Sequence, residues 1–185
     1  MANNSYDNRP RRDSTLPGAE EKQFDERVVH VNRVARVVKG GRRFRFQALV
    51  TLGDHKGRVG IGIGKGADVT AAVNKATDAA KKNLVDLPMH NGTLTHEVLG
   101  KVGGARILIM PAAPGTGLIA GGVVRTVLEV AGFENALSKS VGSGNRLNTA
   151  YATLAALKSM EPAEKWITRR FNASKTAEAR TSSKA

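Results

Sequence analysis

Three scarcities bound what this chain of 185 residues can do. It has no cysteine. That excludes disulfides, thiolate metal sites and a cysteine nucleophile, and it fits a reducing compartment. Aromatic residues are only 4% of the chain, few for a surface that recognises RNA by stacking bases. Acids are outnumbered: 16 Asp and Glu stand against 29 Lys and Arg, for a formal charge of +13. A compact protein this basic faces a polyanion, either nucleic acid or an acidic membrane. Hydrophobic residues at 41% argue against disorder throughout.

Long apolar runs are also missing. The uncharged window from Ile107 to Val124 reaches membrane-spanning length, but Pro111, Pro114, Gly115, Gly117, Gly121 and Gly122 interrupt it. It reads as a strand, a turn and a helix start, so no membrane partner is expected. The first residues, Met1 to Tyr6, lack the apolar centre of a signal peptide. A soluble, cytoplasmic protein is the expectation.

What is present is a concentrated positive charge. From Arg27 to Lys65 there are ten Lys or Arg and one acid, Asp54. The centre of this run is Arg36 to Arg45, with Gly40-Gly41 at its middle. A solubilising face usually alternates in sign, and this one does not. Guanidinium forks match phosphate oxygens, and paired glycines let a hairpin backbone approach a groove. Arg33, Arg36, Lys39, Arg42, Arg43, Arg45, Lys56, Arg58 and Lys65, with Gly40 and Gly41, are the candidate phosphate-binding residues. Such contacts supply affinity and little sequence readout. Phe44 and Phe46 are spaced as core residues, which favours recognition of folded or double-stranded RNA by shape.

The patterning predicts two units between two tails. Residues 1–25 are polar and aperiodic, either a solvated tail or a basic arm that orders on nucleic acid. Over 26–87, a bulged strand from Val28 to Val38 slips near Val34-Ala35. A second strand, Arg43 to Leu52, puts Phe44, Phe46, Ala48, Val50 and Leu52 inward and Thr51 outward. A third, Arg58 to Ile63, puts Val59, Ile61 and Ile63 inward and its glycines outward. A helix capped at Asp68 covers the aromatic face of this three-stranded antiparallel sheet. Over 88–160 the pattern is mixed β/α: strands at Thr93–Leu99, Arg106–Met110 and Asn135–Val141, helices at Gly121–Ala131 and Arg146–Met160. The second helix buries Leu147, Ala150, Tyr151, Leu154 and Leu157. Residues 161–185 hold a short helix from Pro162 and a basic tail. The class is α+β.

No catalytic constellation stands out. Gly62 to Ala67 and Gly115 to Ala120 each fit G-x-G-x-x-A. The first follows a hairpin; the second is separated from its strand by two prolines, and its candidate acid, Glu134, precedes the next strand. His96-Glu97 lacks a histidine at position 100, and the four histidines lack metal-ligand spacing. No metal, cofactor or enzymatic activity is expected. A nucleotide-dependent oxidoreductase using Gly115–Ala120 is the enzymatic alternative, and a free double-stranded-RNA chaperone is another.

Taken together, Val31-Asn-Arg-Val34, Val38-Lys-Gly-Gly-Arg42, Gly57-Arg-Val-Gly60, Gly64-Lys65, Asn91-Gly-Thr93, Gly115-Thr-Gly117, Ile119-Ala-Gly-Gly122, Val127 to Gly132 and Gly142-Ser-Gly-Asn145 resemble bacterial small-subunit ribosomal protein five. The likeness runs from about Phe24 to Met160. It implies a double-stranded-RNA-binding-like first domain. It also implies a second, two-layer β/α domain of the family's own fold, shared with some kinases and an elongation-factor domain. It implies a monomer within the ribosome whose glycine hairpin lies on small-subunit rRNA near the neck, close to the spectinomycin site. Implied neighbours are small-subunit proteins four and eight and mRNA at the entry channel. Gly103 and Arg106 match the segment at the interface with protein four, which affects translational accuracy.

Overall fold

The computed structural model describes residues 24–162. The N-terminal basic arm and the helix expected beyond Pro162 lie outside the described residues. The first sheet has strand order β1-β2-β3-β4 and is antiparallel throughout. Its strands are β1 (Asp25–Val38), β2 (Gly41–Gly53), β3 (Arg58–Gly66) and the two-residue β4 (Val85–Asp86), with α1 (Val69–Lys82) between β3 and β4. The sheet is therefore four-stranded, one more than the patterning predicts. The bulge in β1 falls between Val28 and His30, earlier than the expected slip at Val34-Ala35.

The contact that sets this sheet's geometry is between glycine and alanine. Gly60, Gly62, Gly64 and Gly66 share one face of β3. A Cβ at Gly60 would meet the Ala80 carbonyl, at Gly62 the Ala76 carbonyl and at Gly64 the Ala72 carbonyl. Four helical residues advance about 6 Å, and two strand residues about 6.6 Å. One alanine of α1 thus meets one glycine of β3 along the contact. With no side chain between them, helix and sheet backbones approach unusually closely. The glycine face of β3 is hence the face beneath α1, not the solvent face predicted. Phe46, Ala48 and Val50 of β2 pack there with Ala72, Ala76 and Val73.

The other face of the sheet is buried as well. Leu49, Val59 and Ile61 join a second cluster that contains residues of the C-terminal sheet and its helices. Thr51, expected outward, is fully buried, and its hydroxyl has no hydrogen-bond partner among the described residues. Alternation alone treats a strand as half-buried; a strand covered on both faces breaks that rule.

The second sheet has the order β5-β6-β8-β7. Its strands are β5 (Val98–Val102), β6 (Ala105–Pro111), β7 (Leu118–Ile119) and β8 (Ala136–Gly142). Only β7 and β8 pair in parallel. Thr93, expected to begin a strand, makes only isolated bridges, to His90 and Asn135. The helices α2 (Gly122–Ala131) and α3 (Arg146–Lys158) contact strands of both sheets. Gly132 ends α2 in the left-handed conformation, at φ 96°, as helix-terminating glycines do. The Asn145 side chain caps α3 by accepting from the Leu147 amide at 3.0 Å. Ala152, Thr153 and Ala156 of α3 are buried beyond the predicted stripe, because α3 meets both sheets. The glycine–alanine device recurs here: a Cβ at Gly100 of β5 would run into Ala152 and Ala156.

Two glycines test this packing. Gly62→Ala, which drives a methyl into the α1 backbone, should cost roughly 3 kcal/mol. Gly122→Ala, with nothing within 4 Å of the new methyl, should be neutral or stabilise by up to about 1 kcal/mol. Chemical denaturation of both variants checks the difference; equal stabilities would refute the close-contact account.

Candidate nucleic-acid interface

Beyond the body of the sheet, β1 and β2 continue as a two-stranded arm. Pairing of β2 with β3 ends at Phe46 and Gly66, whereas pairing of β1 with β2 continues to Val38 and Gly41. The arm from Gly41 to Arg45 is about 17 Å long at strand rise, and all five of these residues are exposed. Lys39 and Gly40 form its tip, with Gly40 at φ 94°. That conformation favours glycine. Nothing lies within 4 Å of where a Cβ would sit on Gly40 or Gly41, so the tip stands clear of the protein.

Strand register sorts the arm's cations onto two faces. Arg36 pairs with Arg43 and Val34 with Arg45, while Gln47 pairs with Lys65. These residues share the face opposite α1. Val34, Ala35, Arg36, Arg43, Arg45 and Lys65 line a groove of about 290 Å³ there. None of its four cations has an acidic partner among the described residues. Lys65 belongs to β3, short of the α1 N-terminus, and contributes to the groove from the sheet. Four uncompensated charges around one groove make a field that attracts anions.

The opposite face of the arm is different. Arg33, Arg42 and Phe44 lie on it, and Phe44 is 48% exposed. The Arg33 guanidinium carbon is 3.7 Å from the centroid of the Phe44 ring, a cation–π contact. Phe44, expected in the core, therefore remains outside it, two residues past the last three-stranded rung. Phe46 is the aromatic that α1 covers.

Lys56 and Arg58 do not join these groups. They sit at the far end of the sheet, where Arg58 pairs with Asp86 at 3.0 Å and Asp54 at 3.9 Å. Asp54 also accepts from the Lys56 and Arg58 amides at 2.8 and 3.0 Å. This turn is docked on α2: the His55 and Gly57 amides donate to the Val130 and Ala131 carbonyls at 3.1 and 2.9 Å. Arg27 on β1 donates to Glu129 of α2 at 2.6 Å. His30 faces Arg146 of α3 at 2.7 Å. These braces tie the first sheet to the helices of the second, and no local sequence pattern signals them.

Gly103 (φ 57°) turns β5 into β6. Arg106 follows on the outer face of the second sheet, beside Lys101 and Val141 in register. Leu99, Ile119 and Val141 are exposed, Leu99 by 62%. A larger concavity of about 440 Å³ lies between Lys82, Val85, Tyr151 and Lys158; burial raises the Tyr151 hydroxyl above its ordinary pKa. The two G-x-G-x-x-A stretches have structural uses. The first lies under α1. In the second, the Gly115 and Gly117 amides both donate to the Asn135 side chain at 3.0 Å, which occupies donors that a phosphate loop would offer. No metal-competent cluster of His, Asp or Glu occurs among the described residues.

Arg43→Gln with Arg45→Gln should weaken binding to immobilised heparin by roughly a hundredfold, at about 1.5 kcal/mol for each of the two charge-assisted contacts. Lys56→Gln with Arg58→Gln removes the same charge and should change it far less. Equal shifts in elution salt would mean that net charge, not the groove, governs polyanion binding.

Two family models match the chain in order. One, Ribosomal protein S5, N-terminal domain, covers residues 24–88. The other, Ribosomal protein S5, C-terminal domain, covers residues 100–170. The first match takes in the arm, the groove and α1; the second takes in the mixed sheet with α2 and α3. Two consecutive matches spanning most of the chain, on an antiparallel sheet with its helix and then a mixed sheet with its helices, make this protein a member of the ribosomal protein S5 family, structural constituents of the small ribosomal subunit that bind rRNA.

Proposed function

We propose that the arm grips small-subunit rRNA near the neck of the subunit, close to where spectinomycin binds. The observation that carries this reading is the groove of Arg36, Arg43, Arg45 and Lys65, without acidic partners among the described residues. Lys39, Gly40, Gly41 and Arg42 extend the contact at the protruding tip, and Arg33 flanks it. Lys56 and Arg58 have at most a peripheral part, since Arg58 is already neutralised by Asp54 and Asp86. Affinity comes from phosphate neutralisation, and the twisted arm supplies the fit to a groove.

The unit over 26–87 is then the RNA-binding part and the unit over 88–160 the protein-docking part. Arg106 lies on an outer sheet face that combines exposed Leu99 and Val141 with Lys101, and Gly103 is in the turn at the edge of that face. This surface is suited to small-subunit proteins four and eight. Through that contact the protein supports assembly, influences translational accuracy and borders the mRNA entry path. It works without catalysis or cofactor, as one copy per cytoplasmic ribosome.

Binding of purified small-subunit rRNA should fall steeply with salt. For six to eight phosphate contacts, log K against log salt should have a slope of roughly −4 to −7, and Arg43→Gln should make it shallower by about 1. A nearly flat salt dependence would contradict the mechanism. In cell fractions the protein should sediment with small subunits, whereas a predominantly free pool would favour an RNA chaperone.

A further inference from the structure

We propose that the face of the arm opposite the groove is a stacking platform for one unpaired nucleobase, centred on Phe44 and Arg33. This rests on the RNA reading of the arm given above. A phosphate grip alone needs no aromatic residue. Yet this chain, with only five phenylalanines, leaves one of them 48% exposed on the arm. Its neighbour on the same face, Phe46, is packed under α1 against Ala72 and Ala76.

The reason Phe44 is available lies in the fold. Pairing with β3 stops at Phe46, and Ala35, opposite Phe44 in β1, is too small to cover a phenyl ring. Arg33 comes from β1 on the same face and holds its guanidinium carbon 3.7 Å from the ring centroid. Restraining the ring before binding lowers the ordering cost of a stacked contact. Every base has a π-face that stacks on an aromatic ring or a guanidinium plane.

Charge selects the occupant. Residues 33–45 contain no acid. Arg42 lies on the platform's side, paired with Val37, which is 77% exposed. A base seated on Phe44 would leave its phosphate within the field of Arg42, while the neighbouring strand of the same RNA engages Arg36, Arg43 and Arg45 on the other side. The arm would thus be a wedge with two chemistries: phosphates on one face and a base on the other. Stacking is sequence-tolerant, so the platform selects an unpaired nucleotide rather than a particular base.

The test uses the full chain and purified small-subunit rRNA. Phe44→Leu keeps apolar bulk but removes the aromatic face. It should lower affinity roughly tenfold while leaving the salt slope unchanged, since a stacked base contributes no counterion release. Phe44→Tyr should retain wild-type affinity. Ultraviolet irradiation of the wild-type complex should join residue 44 to one nucleotide. Wild-type affinity in Phe44→Leu, a loss of affinity accompanied by a shallower salt slope, or a cross-link from residue 44 to protein in intact subunits would overturn the platform. If the wild-type chain itself fails to bind rRNA, the RNA reading of the arm falls and the platform with it. Binding by wild type and Phe44→Leu alike removes the platform alone.

Discussion

The contact between the glycines of β3 and the alanines of α1 is the constraint on which the rest of the structure depends. It lets α1 lie on β3 with almost no side-chain layer between them. That economy matters in a protein with so few aromatic residues. Large side chains on β3, Val59 and Ile61, are freed for the opposite face, where they build the core shared with the second sheet and its helices. The first sheet is thus held from both sides along its body. Its β1–β2 extension passes beyond both layers and becomes an arm with a rigid root.

From that root follows the distribution of charge. Inside the body, β2 carries no cation from Phe46 to Gly53 and is buried from Ala48 to Gly53. Once past Phe46, the same strand carries Arg45, Arg43 and Arg42. Alternation then deals these residues to opposite faces, so a run that is continuous in sequence becomes two surfaces in space. One surface is a groove of like charges whose repulsion is relieved only by an anion. The other joins a cation to an aromatic ring. The far turn of the sheet does the opposite: its Arg58 is paired with Asp54 and Asp86, and its backbone is docked on α2.

Much of this was legible in the sequence. The glycine tip, the order of the longer strands and helices (though not the two-residue β4 and β7), the α+β class and the family likeness all followed from patterns of two to about fifteen residues. What escaped depended on contacts distant in sequence. Which face of β3 met α1 was misread because glycines look like a solvent face until alanines at four-residue spacing are set against them. Thr51 was expected outside because alternation cannot reveal a second covering layer. Phe44 was expected inside because alternation does not say where the cover ends. Lys56 and Arg58 were grouped with the arm by charge density, although the hairpin sends them to the opposite end of the sheet. Asn135, which satisfies Gly115 and Gly117, and the Arg27–Glu129 and Arg146–His30 braces had no local signature at all.

Because the chain has no cysteine, a single introduced thiol can carry a hydroxyl-radical source to a chosen place. Val34→Cys puts the source on the groove face of the arm, cross-strand from Arg45, and Asp86→Cys puts it at the far end of the same sheet. With each derivatised protein bound to purified small-subunit rRNA, the account predicts strong, localised strand cleavage from position 34 and weak or no cleavage from position 86. Equal cleavage from both, or stronger cleavage from position 86, would contradict the claim that the arm is where this protein holds RNA.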